Sequence, residues 1–545
     1  MRTIRTAQFL VMTTVAALLS STAVAQSGST LGKVSFPTSG SATSREHFLR
    51  GVAALHSFWF EEALDEFRES TKSDPDFMMG YWGEAMALNH PLWSEQDTET
   101  ARKVIEKIRD TPKLTVRERA YLNAVKALYG AGDKLARDKA YCSAMENIHH
   151  DYPDDLEAAA FYSLSLLGSV RPGDRGYRVQ ALAGAIAFDV YAKNPNHPGA
   201  AHYIIHAFDD PEHAVLALPA ARRYAEIAPA AHHARHMPSH IFLQLGMWPE
   251  AAASNESAWA TSDAWVKSKH LSLSLRDYHS LQWLLYVYLQ QGRYSEAEGL
   301  LGVMRNTMSE SKAEDRLRPN YYANNYANMA ATFIVETERW DMAAKLFDTP
   351  PATADSDAKD PMMGEHAGHA QAPPTGATTR RSDSSRSLPA FVRALAASMR
   401  GATPAASSDA GATPAQNVHA LEVAAASAAA RNQFDEAAAF MKKACALEES
   451  MPPPSGPPSL IKPSHELYGE ILLRAGRAKE AAEQFDFSLL RQPNRPRSLL
   501  GRARAAAAAG DRERARTEYS KLLMQWRQSD KAVPELKEAK EYLLR

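Results

Sequence analysis

A thirty-four-residue echo limits what this chain can fold into. Near the C-terminus Gly476 recurs as Gly510, Ala481 as Ala515 and the aromatic Phe485 as Tyr519, each one period later. A fixed period of that length marks stacked supersecondary units, none of which can bury its apolar face alone. The glycine suits a turn that needs positive φ, the alanine a close helix crossing, and the aromatic the space between neighbouring hairpins. Ala63, Phe67 and Pro75 hold the corresponding places near the N-terminus, and Pro195 and Pro229 close two successive units in the middle. LGMWPEAAA (245–253) and QGRYSEAEGLL (291–301) repeat the Gly-to-Ala corner. With 45% apolar and 23% charged residues and almost no period-two alternation, the chain reads as helical and core-forming, which excludes a disordered polymer.

This spacing resembles the tetratricopeptide repeat (TPR) superfamily. The resemblance implies an all-α, TPR-type α-solenoid, a right-handed superhelix of antiparallel helix pairs, with roughly eight to ten pairs between residues 45 and 530. It implies a flexible N-terminus at 26–44, an N-terminal TPR array at 45–348 and a C-terminal TPR array at 417–545. Between the arrays, 349–416 is rich in Pro, Ala, Ser, Thr and Gly, with one apolar island, LPAFVRALAASMR (388–400). It reads as a low-complexity insertion with a short helix.

Residues 1–25 read as a signal peptide, with Arg2 and Arg5, the apolar run AQFLVMTTVAALLSS, and Ala23-Val24-Ala25 before Gln26. The run falls short of the roughly 20 residues that a membrane span needs. No integral membrane segment is expected after signal cleavage, and the mature protein is expected to be periplasmic or secreted. In that compartment Cys142 and Cys445, the only cysteines, can form a disulfide, but their separation in sequence gives no support for pairing.

The histidines carry the chemistry. His202 and His206 stand four apart, as do His236 and His240, so each pair shares one helix face, and the second pair follows the first by 34 residues. The resemblance places both pairs at positions five and nine of helix A, which face the concave groove in TPR proteins. Imidazole is the commonest side chain for zinc and copper, and two such pairs on adjacent helices can supply a metal site; a polar, peptide-contacting groove or a structural role explains them as well. His279, His56 and His90 are weaker candidate ligands; His279, Glu466 and Tyr286 are candidate acid–base or positioning groups. Met362, Met363, His366 and His369 in the insertion add donors that lean the set toward copper, while a polar linker explains them as well. His213, His232 and His233 read as loop or hairpin-edge residues, and Phe58, Trp59, Phe60, Tyr81 and Trp82 as packing.

Other chemistry is unsupported. No Gly-x-x-x-x-Gly-Lys-Ser/Thr occurs, so no nucleotide is expected, and the absence of Cys-x-x-Cys speaks against haem. HELYG (465–469) has Gly469 where a zincin helix needs its second histidine. A formal charge of −2 gives no basic field for nucleic acid. The block from His202 through HMPSHIF to LGMW is similar to one in a group of exported bacterial TPR proteins, a likeness that supplies an architecture and a groove but no reaction. Three readings follow. One is an exported TPR binding protein whose His-lined groove holds a transition metal and a protein, peptide or small ligand. The second is a copper- or zinc-dependent enzyme with its site in that groove. The third is a metal-free protein–protein scaffold.

Overall fold

The computed structural model describes residues 30–171, 176–311, 321–347, 384–402 and 413–545. The signal peptide expected at 1–25 and the insertion's Met362, Met363, His366 and His369 lie outside them. Successive helices pair and stack along the chain, from Ala42–His56 with Phe60–Ser73 to Pro496–Ala508 with Arg512–Gln525, and Pro534–Leu544 ends the stack. Among the described residues the one sheet is a two-residue antiparallel pairing of Asn89–His90 with Glu95–Gln96. The chain is an all-α, TPR-type solenoid.

The repeat residues act as their chemistry requires. Phe67 is fully buried, and its ring lies where a Cβ on Gly51 or Gly83 would stand; Phe485 does the same against Gly469 and Gly501. Each aromatic sits sixteen residues from both of its glycines, so distant ends of the solenoid are built on one plan. The corner glycines Gly246, Gly292, Gly476 and Gly510 all have positive φ, from +64° to +83°. Proline opens the helices Pro198–Ala207 and Pro496–Ala508, where its missing N–H costs nothing.

Residues 30–41, in the stretch expected as a flexible N-terminus, lie against the repeats. Leu31 and Phe36 are buried, and Lys33 and Ser35 donate their N–H groups to the Asn196 carbonyl and the Glu157 carboxylate. The island at 388–400 falls in the helix Ser384–Met399, which packs between Tyr321–Thr337 and Pro414–Ala430 through buried Phe391, Val392, Leu395 and Ala396.

The C-terminal repeats also touch the middle of the stack. Trp248 donates its indole N–H to the Asn494 carbonyl and Asn494 donates its amide to the Leu245 carbonyl, so Gly246 is pressed against Asn494 with no room for a Cβ. Trp526 donates to the Gln290 carbonyl. The proline-rich connection around Gly456 lies on Trp283, again where a Cβ would collide. Through this packing the C-terminal repeats lie against the helices that carry His240 and His279.

Candidate metal centre

Three consecutive A helices supply the cluster. Pro198–Ala207 presents His202 and His206; the next, split by Pro238 into His232–His236 and Pro238–Gln244, presents His233, His236 and His240; Tyr278–Gln290 presents His279. The six rings divide into two triads, His202–His206–His233 and His236–His240–His279, each with its donor nitrogens within 4.8 Å of one another. The two helical pairs expected from the sequence are thus kept together, but each belongs to its own triad. A third histidine completes each set: His279, already a candidate, and His233, which is buried rather than at a hairpin edge. The missed signal was the His232-His233 doublet at the start of helix A. One turn before His236, it points a ring back toward the preceding A helix.

The outer nitrogens decide what the inner ones can do. His202 Nδ1 lies 2.7 Å from the carbonyl of His56, an oxygen that can only accept. That carbonyl belongs to the last turn of Ala42–His56, where helix carbonyls lack intrahelical donors. The proton is therefore on Nδ1, and Nε2 turns a lone pair inward. Two more imidazole nitrogens approach it, His206 Nε2 at 3.0 Å and His233 Nε2 at 3.2 Å. One ring lone pair cannot accept from both along its axis, whereas a cation among the three nitrogens satisfies them together. Ligands about 2.0–2.1 Å from a tetrahedral ion stand roughly 3.3–3.4 Å apart, within a few tenths of these separations.

The second triad is built alike. His236 Nδ1 lies 2.7 Å from Asn255 Oδ1, and Asn255 spends its own N–H on the Ala251 carbonyl, so its oxygen faces the imidazole. His236 Nε2 meets His240 Nε2 at 3.1 Å. His240 Nδ1 contacts Asp209 Oδ2 at 2.6 Å, while Gln244 donates to the other carboxylate oxygen. Burial pushes the Asp209 carboxyl well above its ordinary range, with the Gln244 amide pulling against it. Outer hydrogen bonds of this kind fix the tautomer and aim of metal-binding histidines.

Aromatic rings wall the cluster. Phe58 has φ +51°, a left-handed conformation that costs a bulky residue about 1–3 kcal/mol. In that conformation its ring lies 4.3 Å from His202 and 5.7 Å from both His206 and His233, centroid to centroid. Packing is its role, as expected, but the surface it packs on is the first triad. Beyond it lies a small, partly open apolar hollow lined by Leu55, Phe60, Met86 and Phe161. Trp283 covers the second triad, 4.2 Å from His240 and 4.9 Å from His236. His202, His236 and His240 are fully buried, and only His206 is half-buried.

The remaining candidates stand elsewhere. His56 joins Glu157 and His197 in a third buried group. His56 Nε2 lies 2.7 Å from Glu157 and its Nδ1 lies 2.8 Å from the Tyr203 hydroxyl. His197 Nδ1 accepts the Ala200 N–H, leaving its protonated Nε2 toward Glu157 at 3.4 Å. Donors meet acceptors from Ala200 to His197 and from Tyr203 through His56 to Glu157, while His197 Nε2 stands off the carboxylate without a full hydrogen bond. Burial works to raise the Glu157 carboxyl, but His197 and then His56 outweigh it and hold the group well below the usual range. His90 stacks on Phe60 at 4.0 Å and lies 3.8 Å from Glu95, apart from both triads.

Glu466 and Tyr286 meet each other through Arg495. Arg495 donates to both carboxylate oxygens of Glu466 and contacts the Tyr286 hydroxyl and Glu336, while Lys462 and Ser498 complete the set. Burial works to raise Glu466, yet Arg495 and Lys462 hold it well below the carboxylate range. The structure joins these two residues in an ion network where the C-terminal repeats meet the middle of the stack, separate from the histidines.

No family model matches the chain, and no curated protein matches it. Among solved structures it is similar to the crystal structure of yeast Tom70, at 10% identity and a TM-score of 0.24, covering 92% of this chain and 88% of that one. It is similar to the TPR domain of P58(IPK), at 12% identity and a TM-score of 0.20, covering 92% and 99%. It is also similar to Naa15/Naa10 bound to HypK-THB, at 11% identity and a TM-score of 0.24, covering 91% of this chain and 64% of that one. The assignment to a TPR-type solenoid stands on the chain's own repeat geometry.

Proposed function

We propose that this chain is an exported repeat protein whose solenoid shapes a buried transition-metal centre, of copper or zinc, from six histidines. The observation that carries the reading is His202 Nε2, fixed as an acceptor by the His56 carbonyl and approached by two further imidazole nitrogens. Neutral imidazole suits copper and zinc, whereas calcium, magnesium and manganese favour oxygen ligands. Three protein nitrogens per ion leave a coordination position for a small ligand, as in catalytic rather than closed structural sites. A metal-dependent reaction therefore fits better than a purely structural ion. A protein or peptide partner along the solenoid, and export through residues 1–25, belong to the same reading.

The test is metal analysis of untagged full-length protein purified from its host without chelator. Metal near or above one ion per chain is the expected result; less than about 0.1 per chain would overturn the proposal. N-terminal sequencing of the same material should begin at Gln26, and an intact Met1 on protein recovered outside the cytoplasm would refute cleavage.

A further inference from the structure

We infer that the two triads form one dinuclear copper centre that takes dioxygen between its ions, an inference that rests on the metal reading above. The triads abut. His206 lies 6.2 Å from His240 and His233 lies 6.1 Å from His236, centroid to centroid, while within the triads His202 lies 4.6 Å from His206 and His240 lies 6.3 Å from His279. The six rings are one continuous cluster, and three nitrogens per ion leave each ion an open position beside the other.

Charge selects the metal. Nearby carboxylates are engaged on outer nitrogens or elsewhere: Asp209 with His240 Nδ1, Glu157 with His56 and His197, Asp210 with His213 and Tyr177, and Asp277 with Ser280 and His232. Among the described residues no carboxylate joins either triad. Two divalent ions side by side among neutral ligands repel four times as strongly as two monovalent ones, and burial weakens the screening. Copper is the transition metal of this ligand type with an accessible monovalent state, so the reduced centre is two cuprous ions. Burial of His202, His236 and His240 under Phe58 and Trp283 restricts the ligand to something small. The step balances without a further reactant: each cuprous ion gives one electron to O2, leaving two cupric ions bridged by peroxide. The two negative charges then offset those gained by the metals.

The experiment loads full-length, metal-stripped protein with cuprous ion under anaerobic conditions, and a parallel sample with zinc, counts bound metal, and admits oxygen to the copper sample. Two coppers per chain are expected, with uptake of one O2 per pair. The oxidised protein should give no electron paramagnetic resonance signal, because the two cupric spins couple through the bridge. H240A, loaded instead with cupric ion, should hold one copper and give the signal of an isolated cupric ion; H206Q, altered at the half-buried ring, should do the same if H240A fails to fold. Two coppers whose signal integrates as two isolated ions, a single copper in the unaltered chain, or binding of zinc alone would each overturn the inference and leave the metal reading intact. Failure to bind any transition metal overturns both.

Discussion

Two histidine groups lie back to back in this molecule and share the backbone of His56. On one side His56 and Glu157 meet as donor and acceptor beside His197, with Tyr203, Ser35 and Ala200 supplying the remaining hydrogens. On the other side His202, held by the His56 carbonyl, turns an acceptor toward two more imidazoles. Both groups are built on buried histidines, with Glu157 in the first and the half-buried His206 in the second; what faces the central nitrogen differs. Donors matched to acceptors stabilise the fold unaided, while imidazole nitrogens gathered around a fixed acceptor suit something positive. The difference teaches that outer hydrogen bonds, more than histidine count, mark a metal site.

The largest effect should come from the Glu157 group. Glu157→Ala strands two buried histidines, and urea unfolding of metal-free protein should show a loss of about 3–5 kcal/mol. Unchanged stability would erase the contrast. Next, His206→Ala removes a half-buried ring from the first triad. It should weaken metal binding by at least about 100-fold in competition with a chelator, since loss of an outer partner alone costs 10–100-fold. Its metal-free stability should stay within about 1 kcal/mol of the unaltered chain. Asn255→Ala, which frees the tautomer of His236 without removing a ligand, should weaken binding about 10–100-fold, or roughly 1.4–2.7 kcal/mol.

The smallest effect is on pH dependence. Burial pulls the His56 imidazole down, only partly offset by Glu157. The unfolded chain takes up that proton near pH 6.5, so the folded state gains from the neutral ring above this value. That contribution declines as the pH falls below 6.5, by at most about 1.4 kcal/mol per unit. His56→Gln, which can keep a hydrogen bond to Glu157, should flatten this part of the stability curve of metal-free protein. An unaltered slope would mean that another group carries it.

Much of the candidate site was legible because helical geometry and the repeat period are local rules. His202 and His206 share a face by their spacing of four, as do His236 and His240, and the period sets one pair beside the other. The partition into two triads was not legible. It depends on the small turn between neighbouring A helices, which sets His233 against His202 and His279 against His236. Glu466 and Tyr286 fell away for a related reason: the fold sets Arg495 beside both, and a buried guanidinium fixes any carboxylate next to it. Phe58 was rightly read as packing, but only a backbone held at positive φ put its ring over the imidazoles.

The amino-acid order by itself determined the helix pairs, their stacking and the faces that carry histidine, since propensity, corner glycines and a period of 34 act over one or two turns. Tertiary structure alone decided which nitrogens face one another and what their far sides touch. The His56 carbonyl and His202 are 146 residues apart, and Gly456 and Trp283 are farther still. Contacts over such separations follow from the accumulated twist of many packed units, a sum that no short stretch of sequence contains.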